Sequence, residues 1–154
     1  MIDYREIAES LLRWAKDNQF EGEDYYWKSR ECYPMALGYF LRAACALSRR
    51  FPEDIFYSEV ALDLTSLLLS RSNLLKASRF DHWGLPFPWP TLEDTENVLS
   101  GDFYWDEKNP LFTDPLPAHC GYGVTTAIVG QGIIDSFELF GGENLRDVIE
   151  QVGH

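Results

Sequence analysis

Asp81 and His82 stand side by side, and a carboxylate next to an imidazole is a pair of side chains suited to moving protons near neutral pH. These are the candidate catalytic residues. Neighbours in an extended loop point in opposite directions, so the competing reading has His82 bonding to backbone and fixing the loop. Trp83, Phe87 and Trp89 come next, with Phe103, Tyr104 and Trp105 further along and His119 and Tyr122 at the far end of the same region. Aromatic rings offer flat faces on which the CH faces of a sugar stack while nearby carboxylates and amides bind its hydroxyls. Trp83, Phe87, Trp89, His119 and Tyr122 are therefore the candidate ligand-binding set. The competing use of the same rings is to bury a long loop against helices, since each ring removes much apolar surface from water.

His82, His119 and Cys120 are metal-ligand types, but their spacing matches no recognised site, and no metal or other cofactor is expected. Glu93, Asp94, Glu96, Asp102, Asp106 and Glu107 include candidate general acids, although a catalytic pair is defined by a separation that sequence does not supply. Tyr25, Tyr26 and Trp27, in an earlier connection, can line the same end of a helical array or pack beneath it.

The 154 residues include 25 acids and 13 bases, a formal net charge of −12. The first 50 residues hold eight of each, so the whole excess lies beyond residue 50. Such a balance repels phosphate backbones and anionic lipid, and neither nucleic acid nor a membrane surface is expected as a partner. With 45% hydrophobic and 15% aromatic residues, a single domain with a buried core is expected. Arg42, Asp63 and Gln131 interrupt the longest apolar runs well short of a membrane span. The N-terminus carries Asp3 and Glu6 where a secretory signal has bases, which predicts a cytoplasmic protein whose Cys32, Cys45 and Cys120 stay reduced.

Hydrophobic periodicity predicts the elements that must position these groups. Asp3 with Glu6 has the form of a capping box ahead of Ile7, Leu11, Leu12, Trp14 and Ala15, giving a helix over 4–18. Pro34 opens a second helix, 34–50, with Leu37, Leu41, Ala44, Cys45 and Ser48 on one face. Its segment from Met35 to Phe40 is apolar nearly all round and so is expected to be buried on more than one side. Phe51 to Asp54 separates it from a third helix, 55–70, with which it forms an antiparallel hairpin. Residues 73–120 lose the periodicity and read as a long loop rich in proline and aromatics. A fourth helix over 125–140 ends at Gly141-Gly142, and its Gly130 and Gly132 predict close approach of another helix. A fifth covers 144–152.

This order of parts, with Trp83-Gly84-Leu85-Pro86-Phe87-Pro88-Trp89, then Pro117-Ala118-His119, then a helix opening Val124-Thr125-Thr126-Ala127, resembles the N-terminal part of α/α-toroid proteins. The similarity is to the six-hairpin glycosidase-like group, especially members associated with bacterial exopolysaccharide biosynthesis. It implies an all-α ring of helical hairpins with loops at one end forming a carbohydrate-sized cleft. A ring of twelve helices takes on the order of 300 residues, so the chain is expected to form an incomplete toroid. The apolar circumferences of the second and fourth helices then predict self-association, most simply as a dimer.

Two functions from different classes follow. The resemblance and the aromatic loop predict a carbohydrate-handling protein. The acidic excess predicts a non-enzymatic module that binds a basic protein partner.

Overall fold

The computed structural model describes residues 3–23, 30–31, 33–71, 83, 89–92, 112–116 and 123–152, with backbone alone for 22–23, 30–31, 89–92, 112–116 and 151–152. Within them the fold is helical, with five helices: α1 (Tyr4–Asp17), α2 (Pro34–Arg50), α3 (Ile55–Ser70), α4 (Gly123–Phe140) and α5 (Glu143–Val152). No helix among the described residues is long and apolar enough to cross a membrane.

Local chemistry sets the helix ends. The Asp3 carboxylate accepts from the backbone amides of Arg5 and Glu6 at 2.9 and 3.4 Å, and so caps α1. Pro34 occupies the first turn of α2, where its missing N–H costs nothing. Asp54 caps α3 through the Phe56 amide at 3.3 Å. At the close of α4, Gly141 and Gly142 adopt φ of +68° and +116°, a region that side chains disfavour. The end of α1 departs from what the sequence predicts: Gln19 and Phe20 both take positive φ, and the Phe20 amide reaches the Ala15 carbonyl at 2.7 Å. That wrap ends the helix without a glycine and turns Phe20 toward the core.

The stretch 73–120 is not wholly without regular structure. Strands Trp89–Leu92 (β3) and Phe112–Leu116 (β4) pair antiparallel, with Trp89 opposite Leu116 and Leu92 opposite Phe112. A register irregularity falls between Trp89 and Thr91, at Pro90, which has no N–H to give to a ladder. Two-residue strands Gly22–Glu23 (β1) and Arg30–Glu31 (β2) also pair.

The core sits where α2, α3 and α4 meet. Leu37, Leu41, Ala44, Val60, Leu64, Leu68, Val129 and Ile133 have essentially no exposure, and Leu12 of α1 and Leu145 of α5 close it from either side. As the sequence predicts, α2 and α4 approach closely through glycine. A Cβ built on Gly132 would lie 3.1 Å from the Gly38 carbonyl oxygen, and one on Gly38 would lie 3.2 Å from Val129 Cα. Contacts between the two helices climb together, Gly38 with Ile128, Leu41 with Gly132, Arg42 with Asp135 and Arg49 with Glu138, so both run in the same direction. One polar pair lies inside. Thr65 Oγ1 gives its hydrogen to the Ala61 carbonyl at 2.7 Å, which makes Ser136 Oγ the donor in their 2.8 Å contact.

One burial expectation is corrected. Met35 and Tyr39 of α2 are 38% and 55% exposed, because α2 presents Leu37 and Gly38 to its neighbours and turns the other side of its first turns to solvent. In α1, Leu12 and Ala15 enter the core, while Ile7, Leu11 and Trp14 face outward.

Candidate functional site

Of the residues marked for chemistry, Trp83 has a described side chain and Trp89 a described backbone, in β3. Asp81, His82, Phe87, His119 and Tyr122 lie outside the described residues, as do Tyr25, Tyr26, Trp27, Cys32, Cys120 and the six loop acids. Trp83 needs a correction. Its indole has no exposed surface, so no face is free to stack on a sugar, and in this fold it is a core ring. Its Nε1 donates to the Leu68 carbonyl at 2.8 Å, sharing that oxygen with the Arg71 amide, which reaches it at 3.2 Å in the last turn of α3. Its backbone is clasped from the other side by Thr126, whose hydroxyl accepts from the Trp83 amide at 3.1 Å and donates to the Trp83 carbonyl at 3.3 Å. The residue that opens the WGLPFPW stretch thus ties the end of α3 to the first turn of α4.

Helix α4 starts at Gly123, two residues ahead of the predicted residue 125. Threonines near a helix start suggest caps, but Thr126 spends its hydroxyl on Trp83 and Thr125 is buried.

A second concentration of chemistry, which the sequence did not suggest, lies between α1 and α3. Arg5 Nε donates to the Tyr57 hydroxyl at 3.1 Å, and Tyr57 passes its own hydrogen to Glu9 Oε2 at 2.8 Å. The other Glu9 oxygen receives Arg13 at 2.7 Å, and Arg5 Nη2 reaches Asp54 at 3.2 Å. The Arg5 guanidinium lies 3.9 Å from the centre of the Phe51 ring and that of Arg13 lies 4.0 Å from the centre of Phe56. Hydrogen bonds from Arg13 and then Tyr57 hold the Glu9 carboxyl below the usual carboxylate range. Burial pushes the Tyr57 hydroxyl up, making it a reluctant acid. An open polar groove of about 330 Å³ runs beside this array, lined by Asp3, Arg5, Glu6, Glu9, Ser10 and Arg13.

Chemically the array is a brace rather than a reaction centre. Arg5, Glu9, Arg13 and Tyr57 are already bonded to one another, and the Tyr57 hydroxyl donates and accepts within the set. Burial likewise raises the Cys45 thiol to about 11, so it stays protonated and unreactive. Among the described residues no group of three or more His, Cys, Asp or Glu side chains is placed to hold a metal ion.

A further feature is apolar and outward. Tyr4, Ile7, Leu11 and Trp14 are 78%, 48%, 52% and 56% exposed on α1. Their 3-4-3 spacing places them on one side of the helix, next to the arc of Leu12 and Ala15 that enters the core. The signal was present in the sequence as an apolar arc too wide for one interface.

Compared with protein-family models, curated proteins and solved structures, the chain finds no match.

Proposed function

We propose that this chain is a carbohydrate-handling helical protein built on the α/α-toroid plan, of the kind associated with polysaccharide biosynthesis. The observation that carries the reading is the direction of alternate helices. α2 and α4 run the same way in close contact. α1 and α3 also run the same way, joined through long side chains whose contacts climb together from Arg5 with Asp54, through Glu9 with Tyr57, to Lys16 with Asp63. A toroid built from helical hairpins has this property, with odd-numbered and even-numbered helices in two layers of opposite direction. A second observation agrees: Trp83 pins the start of the WGLPFPW stretch where α3 ends and α4 begins, the end at which a toroid would carry its binding loops.

On this reading Phe87, Trp89, His119 and Tyr122 contact the glycan, Asp81 and His82 are the candidate proton-transfer pair, and Trp83 is the anchor of the loop. Calorimetric titration of the chain with neutral and acidic oligosaccharides cut from bacterial exopolysaccharides tests it. Binding is expected for at least one class, weakened about ten-fold in Trp89→Ala by loss of roughly 1.4 kcal/mol of stacking. No binding of any class up to about 10 mM, a free energy under roughly 3 kcal/mol, sinks the reading.

A further inference from the structure

The second and fourth helices, whose apolar circumferences led us to expect a second copy of the chain, cover each other across Gly38 and Gly132. Single apolar side chains such as Ile55, Leu62 and Val124 are exposed elsewhere, but the longest continuous row among the described residues lies on α1, and its surroundings say what fits it. Tyr4, Ile7, Leu11 and Trp14 extend over eleven residues, about 15 Å of helix. This is an a/d seam of the kind that accepts the side chains of another helix.

The charge along its edge is one-sided. The three cations of α1 turn away from the seam: Arg13 bonds Glu9 at 2.7 Å, Arg5 bonds Asp54 at 3.2 Å and Lys16 bonds Asp63 at 3.0 Å. The free border of the seam carries Asp3, Glu6 and Asp17, all exposed. Its other border is the half-buried Ala8, beyond which Ala15 turns into the core, so no charged side chain stands on that side. A second copy is a poor occupant. An antiparallel two-fold pairing through the seam would set one acidic border against another, a parallel one would give that border no counter-charge, and either joins molecules that each carry a net charge of −12.

We propose that the outer face of α1 is a docking site for an amphipathic helix of another protein, with apolar residues at heptad spacing and lysine or arginine along its flank. The proposal is independent of the carbohydrate reading, since it uses none of the loop residues. Helix-in-groove recognition of this kind takes its affinity from the apolar anchors and its choice of partner from the border charges.

The test uses the full 154-residue chain and a labelled 18-residue amphipathic peptide with leucine at a and d and lysine at the flanking positions, alongside a counterpart with glutamate at the flanks. Fluorescence anisotropy is read at about 20 mM and 300 mM salt, where screening lengths differ several-fold. The lysine-flanked peptide is expected to bind, Leu11→Glu to weaken it at least about ten-fold, and Glu6→Gln with Asp17→Asn to weaken it several-fold and flatten the salt dependence. Ile7→Ser is the second variant should Leu11→Glu alter the thermal melt. No binding of the lysine-flanked peptide, or equal binding of the glutamate-flanked one, overturns the proposal. So does sedimentation equilibrium showing a wild-type dimer that Leu11→Glu makes monomeric, since the occupant would then be a second copy.

Discussion

Gly38 and Gly132 bring the backbones of α2 and α4 within van der Waals contact, whereas α1 reaches α3 through its longest side chains, Arg5, Glu9, Arg13 and Lys16. Both pairs run in the same direction, yet they are held by different physics. At the first contact a methyl group is too large, and at the second the groups are charged, partly wet and separated from the partner backbone by rings. The glycine contact at the centre of the tight pair depends on shape and is indifferent to salt and pH, while the Arg42–Asp135 and Arg49–Glu138 ion pairs border it at the surface. The braced contact depends on protonation state and screening, and it tolerates change because water replaces most of what is lost. The core is built on the tight contact, so α1 is the helix that can turn a second apolar face outward without opening the centre of the molecule.

The largest effect is expected where the tight region is closed off. Trp83→Ala removes a ring with no exposure and the shorter of the two hydrogen bonds to the Leu68 carbonyl. It is expected to cost about 3–5 kcal/mol, read as a loss of denaturation midpoint at unchanged slope. Trp83→Phe keeps most of the volume and removes one of the two donors to the Leu68 carbonyl, leaving it the Arg71 amide, for about 1 kcal/mol. A melt of Trp83→Ala within about 1 kcal/mol of wild type would mean that the ring is a surface platform after all.

Gly132→Ala comes next. Alanine gains about 1 kcal/mol of helix propensity, but its Cβ would meet the Gly38 carbonyl at 3.1 Å, a backbone atom that moves only with its helix. A net loss of about 1–2 kcal/mol is expected, equal in low and high salt. A stabilised variant would show that the two helices slide apart freely and that the glycines are incidental.

How much of this was legible beforehand depends on the range of the signal. Helix ends written in local chemistry were readable: Asp3, Pro34, Asp54 and the Gly141-Gly142 pair each act within a turn of their own position. The close approach of α4 was readable too, because glycine inside a helix is costly unless something needs the space. Three features were not readable. Gln19 and Phe20 end α1 in a conformation that neither residue favours, imposed by packing of Phe20. The β3–β4 ladder joins segments some twenty residues apart, and Pro90 and Pro115 mask the alternation that would announce strands. For Trp83, residue type says that a ring will be used but not which way it points. The buried direction was settled by the Leu68 carbonyl and the Thr126 hydroxyl, partners fifteen and forty-three residues away.

The braced region is expected to respond to pH on both sides. Glu9 is held below the usual carboxylate range, so its stabilising contribution is complete above the unfolded-chain value and fades as pH falls through the lowered folded one. Tyr57 is raised, so its contribution is complete below the ordinary phenol value and fades as pH rises through the folded one. Tyr57→Phe is expected to cost about 1 kcal/mol at pH 7 and to remove the alkaline limb of a stability profile measured by urea titration. Glu9→Gln removes part of the acid limb. A wild-type profile with the same two limbs as the double variant would place the pH dependence elsewhere.

The smallest effect expected is at the far end of the same brace, and it sharpens the comparison most. Lys16 Nζ lies 3.0 Å from Asp63 and 4.0 Å from Glu59, with the lysine side chain 36% and the two carboxylates 53% and 58% exposed. Good distance does not make such a pair strong: water screens both partners, and holding two long side chains together has an entropic cost. A double-mutant cycle with Lys16→Ala and Asp63→Ala is therefore expected to give a coupling of about 0.3 kcal/mol in dilute buffer. At 1 M salt, where the screening length falls to about 3 Å, the coupling should vanish. The loss caused by Gly132→Ala should not move over the same range of salt. A Lys16–Asp63 coupling above about 1 kcal/mol that survives high salt would show that α1 is fastened as firmly as α4, and that shape and charge do not divide the molecule in the way the two contacts suggest.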